Sequence, residues 1–252
     1  MPAIYFSEIT YKEKLVDDTF TLTIDDPDLA AESRAGQFLH VKCGEARLLR
    51  RPISICSVRG SAIKIVFEVK GDGTRWLSLR EVGQKLEVLG PLGNGFSIPD
   101  GKIITVGGGI GVPPMLFTAE SASGEVTGII GFRSSDRVLL KEEFSAVCQK
   151  LYITTDDGSL GLHGPATTPL NELLGNGGFS AVLACGPRVM LSAVAQLCKS
   201  YNVPCLVSLE ERMGCGVGAC LVCACATISD GTKSMSRVCL DGPVFDAAEV
   251  VW

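Results

Sequence analysis

The last segment of the chain, Glu211 to Trp252, most limits how the whole can fold. It is dense in glycine and cysteine, and at roughly forty residues it is too small to hold itself together by core burial alone. Five of the eleven cysteines fall between Cys215 and Cys239. Eleven is an odd number and too few per residue for a disulfide framework, so the clustering points to a metal staple in a reducing cytoplasm. Cys43, Cys56, Cys148, Cys198 and Cys205 stand in apolar surroundings and read as small buried hydrophobes.

The spacing is Cys215-x4-Cys220-x2-Cys223, followed by a lone Cys239. Its first three members have the spacing of the plant-type [2Fe-2S] loop. In GCGVGAC, Gly214, Gly216 and Gly218 surround the first ligands, where backbone must fold tightly and aim N–H groups at sulfur. Ala219 and Ala224 are small for the same reason. Four thiolates also suit tetrahedral zinc, whose modules usually show paired C-x2-C knuckles; here the first pair is spaced by four residues and the last cysteine stands alone. Cys225 is a fifth thiol, and in an extended segment its side chain points away from that of Cys223, so it is left out of the ligand set.

The remainder of the 252 residues divides by periodicity. Up to about Ile98, short alternating segments such as Phe20–Ile24, Phe38–Val41, Ala62–Val69 and Lys85–Leu89 are broken by Gly, Pro and Asp, and Thr74–Glu81 is the only helix expected. This predicts an antiparallel barrel or sandwich over 1–99. From Gly101 onward apolar strands alternate with helices: Lys102–Val106, Pro113–Ser121, Val126–Phe132, Val138–Val147, Leu151–Thr155, Thr168–Leu174, Ser180–Ala184, Arg188–Tyr201 and Pro204–Leu209. That alternation predicts a parallel-sheet α/β domain over 100–210, leaving 211–252 as the metal module.

Composition excludes some functions. A net charge of -5 without any Lys/Arg run gives no field for nucleic acid. No segment approaches a membrane span, and Met1–Thr10, with an early acid at Glu8, does not read as a signal sequence, so a cytoplasmic protein is expected. His40, in a strand, and His163, in the loop GLHGP, have no Ser or Cys arranged as a nucleophile and read as structural. Asp156-Asp157 reads as a turn.

Two features in the first half suit a phosphate-bearing ligand. Arg51-Pro52-Ile53-Ser54 joins two strand patterns, and Gly71-Asp72-Gly73-Thr74 opens the expected helix, whose N–H groups and glycines admit an anion. In the second half, Lys102–Val106 runs into Gly107-Gly108-Gly109-Ile110-Gly111-Val112-Pro113, which is not G-x-G-x-x-G, and Ala184-Cys185-Gly186-Pro187 ends a buried strand and opens a helix. Together these motifs resemble the ferredoxin-NADP reductase superfamily. The resemblance implies FAD held by Arg51, Pro52, Ile53, Ser54, Gly73 and Thr74. It implies a flavin contact along the backbone of Val66, Phe67 and Glu68. It also implies a nicotinamide nucleotide at Gly107, Gly108, Gly109, Gly111, Pro113, Gly186 and Pro187, with Cys185 beside the nicotinamide as the catalytic candidate.

LLRRPISIC, KGDGTRWLS, GGGIGVPPM, TTDDGSLGLHG, ACGPRVML, SLEERMGCGVGACLVCAC and RVCLDGPVF further resemble the electron-transfer subunits of class 1B dihydroorotate dehydrogenases. That family implies a [2Fe-2S] cluster on Cys215, Cys220, Cys223 and Cys239. It also implies FAD, NAD as acceptor, and a heterotetramer of two such chains with two FMN-containing catalytic subunits. A stand-alone NAD(P)H reductase serving a ferredoxin or oxygenase is the alternative within the same chemistry, and a zinc protein on a reductase scaffold the alternative outside it.

Overall fold

The computed structural model describes residues 2–45, 48–229 and 231–252; Met1, where the N-terminal reading begins, and Asp230, inside the cysteine-rich segment, lie outside the described residues. The alternating first half forms β1 (Ala3–Val16), β2 (Thr19–Asp25), α1 (Pro27–Glu32), β3 (Phe38–Val41), β4 (Arg51–Arg59), β5 (Ala62–Glu68), α2 (Asp72–Ser78) and β6 (Lys85–Leu92). The strands close into an antiparallel barrel in the order β1-β2-β5-β4-β3-β6. Alternation along each strand sends Leu22, Leu39, Ile55, Ile65 and Val88 into a fully buried interior. Closure leaves no bare strand edge.

Two sequence expectations change here. The barrel half holds a second helix, α1, because Asp26 caps it with a carboxylate that accepts from the Leu29 N–H at 3.1 Å and Pro27 presets its first turn. The helix expected over Thr74–Glu81 is instead Asp72–Ser78, since Thr74 lies inside the first turn, its Oγ1 accepting the Lys70 N–H at 2.9 Å.

The second half forms β7 (Ile103–Gly108), a 3₁₀ turn (Gly109–Gly111), α3 (Val112–Glu120), β8 (Val126–Phe132), α4 (Lys141–Val147) and β9 (Lys150–Thr155). It continues through β10 (Leu162–His163), α5 (Thr167–Asn176), β11 (Ala181–Cys185), α6 (Arg188–Ser200) and β12 (Cys205–Ser208). Helix α4 starts later than the expected Val138 because Leu140 takes a left-handed φ of 59°. The sheet order is β10-β9-β8-β7-β11-β12, all parallel, with one face packed by α3 and α4 through Met115 and Phe144 and the other by α5 and α6 through Leu170 and Leu191.

The final segment folds as a β13 (Ala224–Ser229) and β14 (Thr232–Arg237) hairpin followed by β15 (Val244–Asp246). Strand β15 adds antiparallel to β12, as a seventh strand of the large sheet. The segment also grips the barrel: Asn94 donates its backbone N–H to the Gly242 carbonyl at 2.6 Å and its side-chain amide to Leu240 and Asp241 at 3.2 and 3.0 Å. The core of this segment, with Cys223, Val238 and Cys239, is continuous with Phe38 and Leu92 of the barrel and with α5 and α6.

Candidate cofactor sites

The cysteine loop begins where β12 ends. Gly216 and Gly218 adopt φ of 75° and 80°, left-handed values that a residue with a side chain takes only under strain. The turn they make aims successive N–H groups at sulfur. Val217 and Ala219 donate to Cys215 Sγ at 3.4 and 3.2 Å, Gly218 donates to Cys239 Sγ at 3.1 Å, and Cys239 donates to Cys223 Sγ at 3.4 Å. Gly218 also packs so closely on Leu240 that a β-carbon there would come within 2.5 Å of it. The next residue of special conformation, Leu221 at φ 59°, is exposed between Cys220 and Cys223.

These donors separate the thiols electrostatically. Burial alone would raise Cys215, but the N–H groups of Val217, Cys220 and Ala219 and the Cys220 thiol outweigh it and bring its pKa down to about 6. Burial, then the adjacent Cys223 thiol, pushes Cys239 up to about 12. Of the other thiols, Cys220 acts most on Cys215 and Cys223 most on Cys239. Among the described residues no three ligating side chains converge on one metal-ion position. Four thiols in a C-x4-C-x2-C loop with one more cysteine behind it, under backbone N–H groups aimed at sulfur, suit a two-iron cluster with two thiolates per iron. The donor set and the N–H groups fit the cluster.

In the barrel, the adjacent arginines do different work. Arg50 is spent on structure: it pairs with the Glu87 carboxylate and donates to the carbonyls of Glu87 and His40 at 3.3 and 3.4 Å. Arg51 has no carboxylate partner among the described residues and donates from Nη1 to the carbonyls of Leu49 and Arg50 at 2.5 and 3.2 Å. Its guanidinium lies against the start of α2, where a β-carbon on Gly73 would come within 2.5 Å of Arg51 Nε. The two barrel motifs, distant in sequence, are thus one cradle with an uncompensated positive charge, a fit to a pyrophosphate. Pro52 and Ser54 stand on β4 opposite His40 and Phe38, with Ile53 between them turned to the barrel core. On β5, Phe67 is buried against Phe20 with ring centroids 6.1 Å apart, and Glu68 is half-buried, its carboxylate 3.4 Å from Lys70.

Val66 of the same strand faces the other domain, sharing a core with Ile110, Val112, Met115 and Cys185. The nucleotide motifs meet at that seam. A β-carbon on Gly111 would lie 2.4 Å from the Cys185 carbonyl oxygen, and one on Gly108 would lie 3.0 Å from Pro187 Cδ. Gly186 approaches Gly108 in the same way, Gly107 packs on Val112, and Pro113 sits in the first turn of α3. Gly109, at φ 53°, has open space beside it. Burial pushes the Cys185 thiol up to about 12, against a hydrogen bond to Ser208, its partner across β11 and β12. At neutral pH the group is therefore a neutral, polarizable thiol and no nucleophile.

Sequence reasoning passed over two residues that shape these sites and gave a third, His40, only a structural role. Asn94 fixes the end of the cluster loop, Leu221 holds a left-handed turn between two of the cysteines, and His40 is fully buried against Gly216. Burial first, and the Arg50 charge second, push the His40 pKa down to about 4, so the ring is neutral at pH 7. His163 is exposed on β10, and Asp157 accepts the Ser159 N–H and hydroxyl at 3.0 and 2.6 Å, a turn as expected.

Comparison with known proteins agrees with this layout. The model of the iron-sulfur cluster binding domain of dihydroorotate dehydrogenase B matches residues 210–251. The dihydroorotate dehydrogenase B (NAD(+)) electron transfer subunit of Desulforamulus reducens is 36% identical, with 100% of each chain covered. That of Geobacillus thermodenitrificans is 38% identical over 96% of each. Among solved structures, a chain of an NADH-dependent reduced ferredoxin-NADP oxidoreductase, studied for flavin-based electron bifurcation, superposes with a TM-score of 0.89 at 31% identity, covering 98% of this chain and 90% of that one. The ferredoxin reductase of carbazole 1,9a-dioxygenase shares the fold, with a TM-score of 0.67 at 18% identity over 81% of this chain and 67% of that one. On these similarities over its full length, the chain belongs to the family of electron transfer subunits of NAD-linked dihydroorotate dehydrogenase B.

Proposed function

We propose that this chain takes electrons from the FMN of a dihydroorotate-oxidising catalytic subunit and passes them, by way of a [2Fe-2S] cluster and FAD, to NAD+, in pyrimidine biosynthesis in the cytoplasm. When bound, the cluster and flavin supply the change from one-electron to two-electron transfer. Cys215, Cys220, Cys223 and Cys239 hold the irons, and the N–H groups of Val217, Gly218 and Ala219 stabilise the negative sulfurs. Arg51, with the backbone at Gly73 and Thr74, binds the pyrophosphate of FAD, and Pro52, Ile53, Ser54 and the β5 backbone at Val66, Phe67 and Glu68 line its ring. Gly107, Gly108, Gly109, Gly111, Pro113, Gly186 and Pro187 receive the nucleotide, and the neutral Cys185 thiol excludes water beside the nicotinamide.

The observation that carries this reading is the run of N–H donors, Val217, Gly218, Ala219 and Cys239, aimed at the sulfurs of Cys215, Cys239 and Cys223. The rim of that loop supports docking of the catalytic subunit there, in an assembly of two chains of each kind. Val217, Leu221, Val222 and Leu240 are exposed around the exposed Cys220, an apolar patch that a partner would cover. The test is the visible spectrum of the anaerobically purified chain with iron, sulfide and FAD assayed. About two irons and two sulfides per chain with one flavin are expected; zinc, or no sulfide, would remove the entrance for electrons.

The likeness to the ferredoxin-NADP oxidoreductase chain favours a second reading, a reductase that serves a ferredoxin. Dihydroorotate-dependent NAD+ reduction on mixing with the catalytic subunit separates the two.

A further inference from the structure

Strand β3 is buried at all four positions, but its residues face two ways. Leu39 and Val41 enter the barrel core, while Phe38 joins the core shared with the cysteine segment, so His40 lies on the outer wall. There the imidazole is 0% exposed, and neither ring nitrogen has a hydrogen-bond partner among the described residues. An imidazole shut away in this manner is costly unless something nearby needs it.

What covers the ring is the cluster loop. A β-carbon on Gly216 would come within 2.6 Å of His40 Nδ1 and 3.1 Å of Leu92 Cδ1. The carbonyls of Arg50 and Cys215 lie near the ring, short of hydrogen-bond geometry. On the barrel side, its neighbours across the sheet are Pro52 of β4, next to Arg51, and Leu89 of β6. The side chain is therefore wedged between the strand read as flavin-bearing and the Cys215–Gly216 peptide. From that peptide start the N–H groups of Val217, Gly218 and Ala219 that point at Cys215 and Cys239 sulfur.

We propose that His40 is a positioning residue for electron transfer: packed on Gly216 with its N–H unpartnered in this structure, it reaches the Cys215 carbonyl once the loop closes on a cluster, fixes the turn that aims three N–H groups at ligand sulfurs, and so sets the reduction potential of the cluster. The inference rests on the reading of a [2Fe-2S] cluster in this loop. Hydrogen bonds to the sulfurs stabilise the extra negative charge of the reduced form, so a slackened turn lowers the potential.

The test uses the full chain in complex with its catalytic subunit, prepared anaerobically as wild type, His40→Phe and His40→Asn. Phe keeps a ring and loses the donor; Asn keeps a donor and loses the ring. Iron, sulfide and FAD content, the electron paramagnetic resonance of the reduced cluster, and its midpoint potential are measured. For His40→Phe we expect wild-type FAD content, an altered resonance, and at least a tenfold shift of the flavin-cluster equilibrium toward oxidised cluster, about 59 mV for a one-electron couple. His40→Asn should recover more than half of that shift. Wild-type potential and resonance in His40→Phe, or equal shifts in both variants, would overturn the inference. Should His40→Phe come without iron, His40→Asn decides, supporting it with iron bound near the wild-type potential and refuting it with iron lost. A wild-type chain lacking iron and sulfide would instead sink the cluster reading itself.

Discussion

Cys215 and Cys239 belong to one loop, yet the backbone treats their protons in opposite ways. Cys215 receives N–H groups and is a thiolate near neutral pH, while Cys239 keeps its proton until metal displaces it. Loading iron should therefore release a proton from Cys239 rather than from Cys215. Cys220 is the exposed member of the four, and its loss leaves one iron with a single thiolate. Cys220→Ser is expected to lose the cluster and about 100-fold or more of dihydroorotate-dependent NAD+ reduction, beyond the roughly 10–100-fold that disturbing a ligand's outer-shell partner costs. NADH oxidation by an artificial acceptor, which needs only flavin, should persist at the wild-type rate. Both are read by steady-state assay. Much of this was legible at the level of residues: cysteine spacing announced a two-iron loop because that chemistry dictates spacing. The resemblance singled out Arg51; what residues alone do not disclose is why Arg50 is spent, since its pairing with Glu87 of β6 depends on the folded barrel.

At the scale of elements, close backbone contacts join motifs that are far apart in the chain. Gly73 is the clearest case, because its backbone conformation is ordinary and the nearest atoms to a β-carbon there all belong to the Arg51 side chain. Gly73→Val should therefore weaken FAD binding about tenfold or more, equivalent to losing a charge-assisted hydrogen bond of about 1.5–3 kcal/mol. Gly71→Ala, where nothing lies within 4 Å, should bind FAD like wild type. Flavin fluorescence on titration with apoprotein measures both. Strands β3 and β8 fall where alternation and apolar runs place them, since tertiary packing and local pattern agree there. Helix α1 was missed although Asp26-Pro27 is a start signal, because six residues offer little periodicity. Strand β1 was obscured for another reason. It is largely exposed, it pairs with β6 through Ala3–Glu8 and with β2 from Glu8 onward, and its two register shifts break the alternation.

At the scale of the whole molecule, the cysteine segment is built into both other parts. Asn94 ties it to the barrel and β15 to the sheet, while Arg188 of α6 donates to the Val251 carbonyl at 2.6 Å. Sequence indicated a small metal module following the sheet; it gave no sign that three residues of the module, Val244–Asp246, would become a strand of that sheet, since so short a run carries no pattern. Among the described residues no helix is long and apolar enough to cross a membrane. Strand β15 is also what shields β12, whose outer N–H and C=O groups would otherwise face solvent. Removing iron should loosen this cover before the barrel melts. We expect iron-depleted chain to scatter light and sediment as larger species at temperatures where the loaded chain stays monodisperse, with flavin still bound. Cluster damage by oxygen would then be more than a loss of conductivity: a sticky margin would be uncovered, and spent molecules would gather with one another.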